Sequence, residues 1–106
     1  MKLWVDDVRP APYTQNTDFW AARSVNEAKD AILRMENLGW IISIIDVDHD
    51  AGDYAKDGGD YIKLLDWLEE TGRNYPIRIH SMNPVGVENM RRIIERNGWK
   101  EIKLEE

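Results

Sequence analysis

The sequence has no cysteine among its 106 residues, so disulfides and thiolate metal sites are excluded. It also has no apolar run near the roughly 20 residues that a membrane-spanning helix needs. Two acids follow the N-terminus closely, at Asp6 and Asp7, which argues against a secretory signal peptide. A reducing compartment suits such a chain, so we expect a cytoplasmic protein with no membrane partner.

The chain has fewer basic than acidic residues, with 14 lysines and arginines and 20 aspartates and glutamates, so its net charge is −6. Proteins that bind nucleic acid through its phosphate backbone carry basic surfaces, so we expect no general DNA binding. The five tryptophans are numerous for this length. Without a basic groove beside them, they are interpreted as core and lid residues rather than as base-stacking platforms.

Hydrophobic residues make up 42% of the chain, which suits one globular α/β domain over residues 1–106. Apolar runs alternate with helical periodicity, and this order predicts a parallel sheet with right-handed crossovers. The predicted helices run from Ser24 to about Gly39, from Tyr61 to about Gly72, and from the Asn83-Pro84 cap to about Asn97. The predicted strands are residues 3–5, 19–23, 40–45, 76–80 and 99–104.

Three of these strands end in groups that can do chemistry: Asp6-Asp7, residues 46–50 (DVDHD) and residues 80–83 (HSMN). Ligands of parallel sheets bind outside the carboxyl ends of the strands. Any one acid there can be a cap or a turn former, but the convergence of all three segments favours a site.

Carboxylates gathered at one rim repel each other and favour a hard divalent cation, Mg²⁺ or Mn²⁺. The backbone N–H groups after Asn83 open a helix and form a natural anion seat, to which Arg9 can add positive charge. A metal beside an anion seat indicates a phosphoryl group as the ligand.

The only two histidines, His49 and His80, both fall in these segments. If their strands are neighbours, the two imidazoles can flank one phosphate and act as general acid and base. The alternative is that each histidine caps a strand or bonds a carboxylate.

Two other motif interpretations are weaker. Asp46-x-Asp48-x-Asp50 imitates the start of a calcium loop, but the glycine stands at 52 and the twelfth position is Asp57 instead of glutamate. An apolar run before Asp46-x-Asp48 also imitates the haloacid-dehalogenase signature, which normally lies on the first strand of a longer chain.

Residues 3–7 (LWVDD) and 42–46 (ISIID) resemble the first and phosphoacceptor strands of response-regulator receivers. Four motifs together resemble, more specifically, the cyclic-phosphate-processing receiver-like family: WVDDVRP at 4–10, DHD at 48–50, DG at 57–58 and HSMNP at 80–84. This resemblance implies a flavodoxin-like fold, three-layer or two-layer, with a five-stranded parallel sheet of order 2-1-3-4-5. It also implies a role in processing cyclic phosphates on nucleotides or RNA ends.

The chain departs from receivers at one position, because no Lys-Pro pair follows its last strand and Lys103 lies inside it. Ser81 fits the receiver hydroxyl. The phosphoacceptor equivalent is Asp46 by strand position and Asp48 by the family motif, and both stay open.

The first hypothesis is therefore a metal-assisted phosphoesterase acting on a cyclic-phosphate nucleotide or RNA end. In it, Asp6, Asp7 and Asp48 hold the metal, and His49 and His80 share proton transfer. Arg9, Ser81 and Asn83 orient the phosphate, and Asp50 is a further candidate. The alternatives are a signalling receiver phosphorylated on Asp46 or Asp48, and a non-catalytic phosphate-binding module.

The first and last receiver helices are expected to be reduced or missing, which leaves one sheet face without helices. Strand alternation puts Leu3, Val5, Ile77, Ile79, Ile102 and Leu104 on one face and Lys2, Trp4, Arg78, Glu101 and Lys103 on the other. We expect the second set to face solvent, the loop of residues 8–18, or the partner subunit of a homodimer.

Overall fold

The computed structural model describes residues 1–103 and has a parallel sheet with helices between its strands. The sheet order is β2-β1-β3-β4, so the predicted α/β class and the relative order of these strands are confirmed. The strands are β1 (Lys2–Val5), β2 (Phe19–Ala22), β3 (Ile44–Val47) and β4 (Ile77–Ile79). The helices are α1 (Val25–Asn37), α2 (Ile62–Glu70) and α3 (Pro84–Asn97), and a short 3₁₀ helix covers Gly52–Lys56.

The predicted fifth strand, and with it the five-stranded sheet, is wrong. Within residues 1–103 the segment after α3 pairs with β4 at one position only, the bridge between Ile77 and Glu101. Of residues 99–103 only Trp99 is buried, so few apolar contacts favour a longer ladder. The predicted position of Leu104 lies outside the described residues.

The predicted third strand is displaced by several residues. It was expected at residues 40–45, but Trp40 and Ile41 are exposed, Ile41 by 82%, and the ladder covers Ile44–Val47. A run of apolar residues does not reveal which of its members are buried, so the pattern placed the strand too early. The displacement moves Asp46 from the end of the strand into its interior.

The helix termini follow the predicted signals. Ser24 Oγ accepts a hydrogen bond from Glu27 N at 3.0 Å, which fixes the start of α1. Asn83 Oδ1 accepts from Gly86 N at 3.1 Å, and Pro84 takes the first turn of α3. Gly98 ends α3 with φ 68°, a left-handed conformation that glycine adopts without strain. Among residues 1–103, the structure has no helix that is long and apolar enough for a bilayer span.

The core lies on one face of the sheet, where the helices pack. Leu3, Val5, Ile45, Val47 and Ile77 are fully buried there against apolar side chains of all three helices. No helix lies between β1 and β2, and within the described residues none follows α3. The helices therefore cover one face only, as the strand alternation indicates.

The opposite face is covered in part by the loop of residues 8–18. Trp4 pairs with Asp46 on β3, and Asp46 with Arg78 on β4, so these side chains form one row across this face. The Tyr13 ring packs edge-on against Trp4 with centroids 5.9 Å apart, and Trp4 Nε1 donates to Arg9 O. Among residues 1–103 no helix covers Arg78, in line with the prediction, and a homodimer through this face stays a prediction.

The segment between β3 and α2 is anchored to the start of α1. Asp57 accepts hydrogen bonds from Ser24 Oγ at 2.7 Å and from Asn26 Nδ2 at 3.0 Å. The next residue, Gly58, has φ 112°, and a Cβ there would lie 2.8 Å from Val25 Cβ. The Asp57-Gly58 pair therefore fixes the path of residues 48–61, the acidic loop between β3 and α2, against α1.

We expect Gly58→Ala to destabilise the fold by more than Gly72→Ala. Both glycines have positive φ, but a Cβ at Gly72 would have no neighbour within 4 Å. Gly72→Ala thus adds only backbone strain, about 1–2 kcal/mol, whereas Gly58→Ala adds a clash with Val25. Urea unfolding of both variants measures the difference, and equal losses would contradict the proposed close packing at Gly58.

Candidate functional site

Asp6, Asp48 and His80 meet at the carboxyl end of the sheet. Each directly follows a strand, Asp6 after β1, Asp48 after β3 and His80 after β4. The ladder continues through them, because Asp48 N donates to Val5 O and His80 N to Val47 O, each at 3.0 Å. One ligand atom of each side chain lies within 4.8 Å of the others. Two carboxylate oxygens and an imidazole nitrogen at this separation can hold a metal ion.

Backbone hydrogen bonds orient both acids of this cluster. Asp6 Oδ1 accepts from Val8 N at 3.0 Å and from Arg9 N at 2.9 Å. Asp48 Oδ1 accepts from His49 N at 2.7 Å. Although burial raises the pKa of Asp6, the bonds from Arg9, Val8 and His80 outweigh it and leave that pKa below its usual value. Asp6 is therefore an ionised, preoriented carboxylate whose Oδ2 is directed to the cluster.

His80 is held between two carboxylates. Its Nε2 lies 2.9 Å from Asp6 Oδ2 and its Nδ1 lies 2.7 Å from Asp46 Oδ1, while its side chain is 8% exposed. The ring is stacked on Trp4 at 4.0 Å between centroids and 3° between planes. Burial lowers the pKa of His80, but the hydrogen bonds and charges of Asp46 and Asp6 outweigh burial and raise it above its usual value.

Asp46 lies in the interior of β3 and is 1% exposed at its side chain. Its Oδ1 contacts His80, and its Oδ2 accepts from the Tyr13 hydroxyl at 2.8 Å. Arg78 Nη1 lies 3.7 Å from the same Oδ2. The residue predicted as an alternative phosphoacceptor is thus covered on the loop side of the sheet, whereas Asp48 is partly exposed at the rim.

Asp7 lies beside the cluster and faces the acidic loop. A Cβ on Gly52 would come within 2.4 Å of Asp7 Oδ2, so only glycine fits there without moving this carboxylate. Burial and the negative charges of Asp6 and Asp48 raise the pKa of Asp7. A cation near these three acids would relieve that repulsion.

His49 belongs to a second group, at the N-terminus of α3. Its Nδ1 lies 2.8 Å from Asp50 Oδ1 and 3.4 Å from Asn83 Nδ2, and its side chain is 15% exposed. A Cβ on Gly86 would lie 2.4–2.6 Å from the His49 ring atoms. The imidazole therefore packs directly on the first turn of α3, where backbone N–H groups attract anions.

The three predicted phosphate ligands lie around the same edge. Ser81 Oγ accepts from Asn83 N at 3.1 Å, and Asn83 caps α3 through its Oδ1. The exposed Arg9 donates from Nη1 to His80 O at 3.3 Å. These side chains border the two groups described above, and their contact with a phosphate stays a prediction.

The sequence prediction located the rim but missed several supporting residues. Hydrogen bonds divide the two histidines between separate groups, so the pairing of His49 with His80 around one phosphate stays untested. Trp4, Tyr13 and Gly86 were not predicted to support the site. Strand alternation placed Trp4 on the face of the loop, but the stacking partner and the Tyr13 contact depend on tertiary structure.

The chain was compared with known protein families, curated proteins and solved structures. Neither the curated proteins nor the solved structures include a match. The family model described as the cyclic-phosphate processing Receiver domain matches residues 1–96, from β1 to near the end of α3. The chain therefore belongs to the cyclic-phosphate processing receiver domain family.

Proposed function

We propose that this protein is a metal-assisted phosphoesterase that opens a cyclic phosphate on a small nucleotide or an RNA end. The observation that carries the proposal is the cluster of Asp6, Asp48 and His80, whose ligand atoms lie within 4.8 Å of one another at the strand ends. The family match associates the domain with cyclic-phosphate processing. The Asn83-capped start of α3 supplies the anion seat beside it.

Asp6 and Asp48 would hold the cation, with His80 as the third ligand and Asp7 within range of the same charge. The donor set fits a hard ion such as Mg²⁺ or Mn²⁺, because two of the three groups are carboxylates. The bound metal would polarise the phosphoryl oxygens and favour attack by water. The backbone bonds to Asp6 and Asp48 keep both carboxylates oriented before the ion arrives.

The remaining rim residues would bind the phosphate and move protons. Ser81, Asn83 and Arg9 can donate hydrogen bonds to phosphoryl oxygens. His49 lies at the α3 N-terminus with Nδ1 on Asp50, so its Nε2 is the atom left to exchange a proton with the substrate. His80 would share this role only in states where its Nε2 leaves Asp6.

Phosphorylation of Asp48 is the second candidate function. Its support is the partial exposure of Asp48 at the end of β3, with Ser81 after the neighbouring strand. Asp46 is a poor phosphoacceptor by comparison, since Tyr13 and His80 occupy its two oxygens. A receiver would form an acid-labile acyl phosphate on Asp48 from acetyl phosphate, and a phosphoesterase would instead turn over a cyclic substrate.

We expect millimolar Mg²⁺ or Mn²⁺ to raise the melting temperature, because a ligand bound only by the folded state stabilises that state. Asp7→Asn should remove most of this gain by lowering the negative charge around the ion. Asp66→Asn is a control, since Asp66 lies in α2 and contacts Lys63. Melting curves that do not change across the metal titration would rule out the metal site.

The activity itself is tested with a broad panel of 2′,3′-cyclic nucleotides and other cyclic phosphates, with Mg²⁺ present. The proposal expects opening of at least one substrate to a phosphomonoester. Absence of turnover on every substrate, together with phosphorylation of Asp48, would favour the receiver. Binding of cyclic phosphates without turnover and without phosphorylation would favour a non-catalytic phosphate-binding module.

A further inference from the structure

Asp46 and Tyr13 lie outside the rim, yet they are joined to it through His80. The chain of contacts runs from the Tyr13 hydroxyl to Asp46 Oδ2 at 2.8 Å, from Asp46 Oδ1 to His80 Nδ1 at 2.7 Å, and from His80 Nε2 to Asp6 Oδ2 at 2.9 Å. Tyr13 belongs to the loop of residues 8–18, on the sheet face without helices. We infer that Asp46 and Tyr13 are positioning residues, which fix the orientation of His80 and keep a proton on its Nδ1. This inference rests on the proposed function.

The chemistry of the side chains decides which atoms donate and which accept in this series of hydrogen bonds. A carboxylate only accepts hydrogen bonds, so His80 Nδ1 must carry a proton to bond Asp46, and Nε2 carries one where it bonds Asp6 Oδ2. A cation that took His80 as a ligand would replace the proton on Nε2. Burial and the Asp46 charge raise the pKa of Tyr13 far above its usual value, so its hydroxyl keeps its proton and donates. Both oxygens of Asp46 are then occupied, and Nε2 is the nitrogen of His80 that faces Asp6 and the metal-binding cluster.

The stacking of His80 on Trp4 removes the remaining freedom of the ring. The two planes differ by 3°, and Trp4 is itself held by Tyr13 and by its bond to Arg9 O. A histidine ligand is commonly oriented by a carboxylate at its other nitrogen, and loss of that partner lowers metal affinity about 10–100-fold. Asp46 supplies such a partner from inside the sheet, and Tyr13 holds Asp46.

Asp46→Asn is the principal test, because asparagine keeps the shape of the side chain but its amide can donate a hydrogen bond to Nδ1. Titration calorimetry with Mg²⁺ and Mn²⁺ should show affinity about 10–100-fold weaker than wild type. Nitrogen-15 NMR of the imidazoles should show Nδ1 protonated in wild type and a population with unprotonated Nδ1 in the variant. A purely structural role for Asp46 would leave Nδ1 protonated in the variant as well.

Tyr13→Phe is the second variant, and it still tests the positioning role if Asp46→Asn does not fold. It preserves the ring packing on Trp4 and removes only the hydroxyl bond to Asp46, so a smaller loss of metal affinity is expected. Tyr75→Phe is the matched control, since Tyr75 also donates a hydrogen bond to a carboxylate, that of Glu36, and neither residue belongs to the hydrogen-bond series from Tyr13 to Asp6. Its metal affinity should equal that of wild type.

The outcomes separate this inference from the proposed function. Unchanged affinity in both Asp46→Asn and Tyr13→Phe, with Nδ1 still protonated, would overturn the positioning role while leaving the phosphoesterase intact. Weaker affinity and an altered NMR pattern in a protein that opens no cyclic phosphate would support the positioning role and contradict the enzyme. If wild type bound no divalent cation, the proposed function would fail, and the NMR comparison alone would decide the inference.

Discussion

His80→Ala is expected to lose both catalysis and stability. The substitution removes an imidazole that we propose as a metal ligand or, in states where its Nε2 is free, as a proton donor, and loss of a general acid or base typically lowers the rate about 10²–10⁴-fold. It also leaves Asp46, 1% exposed, without its imidazole partner. Removing one member of a buried charged pair commonly costs about 3–5 kcal/mol in the free energy of unfolding.

The two losses are separated by a double variant. Asp46→Ala in the His80→Ala background removes the buried carboxylate that has lost its imidazole partner, so it should recover part of the stability but none of the turnover. Urea unfolding measures the first quantity, and the cyclic-phosphate panel measures the second. Full turnover in His80→Ala would exclude any catalytic or metal-binding role for this imidazole, whatever its stability.

The stability loss should depend on pH in a defined direction. Asp46 and Asp6 outweigh burial and raise the pKa of His80, so the folded state holds the proton more tightly than the unfolded state. The stabilisation is complete below the usual histidine pKa of about 6.5 and is lost as pH rises through the higher pKa of the folded state. The gap between wild type and His80→Ala should therefore be largest at mildly acidic pH.

The convergence of these side chains at one edge of the sheet was predictable because it depends on topology. Short apolar runs that lead into Asp6-Asp7, residues 46–50 and His80 are visible in the sequence, and parallel strands bring their carboxyl ends to one edge. The helix termini were predictable for a similar reason. Ser24, Asn83 and Gly98 act on their own neighbouring backbone, so their effect is local.

The parts that sequence did not predict depend on register and on distant contacts. A strand placed at residues 40–45 left Asp46 at its end, whereas the observed register puts Asp46 opposite Trp4 and within reach of Tyr13. Similarly, the fifth strand was inferred from an apolar pattern, but its ladder with β4 is one bridge long. In both segments the apolar residues were recognised correctly, but the residues that form the hydrogen-bonded ladder were not.

Gly86→Ala is expected to lower turnover strongly while leaving the fold intact. Alanine favours a helix by about 1 kcal/mol over glycine, so α3 alone would gain stability from this change. However, the new Cβ would lie 2.4–2.6 Å from His49 ring atoms, and the ring must move away from the α3 N-terminus. The His49 imidazole, our proposed proton-transfer group, would then lie farther from the substrate. The rate should fall by as much as general acid–base catalysis contributes, about 10²–10⁴-fold.

A double-mutant cycle distinguishes this clash from a general effect on α3. In the His49→Ala background the space of the imidazole is empty, so Gly86→Ala should no longer reduce turnover and should only favour the helix. Gly98→Ala serves as a control for backbone strain, since Gly98 caps the same helix with φ 68° and a Cβ there would contact nothing within 4 Å. If Gly86→Ala lowered the rate equally with and without His49, the close packing of imidazole and helix would not be its cause, and His49 would lose the position from which we assign its proton transfer.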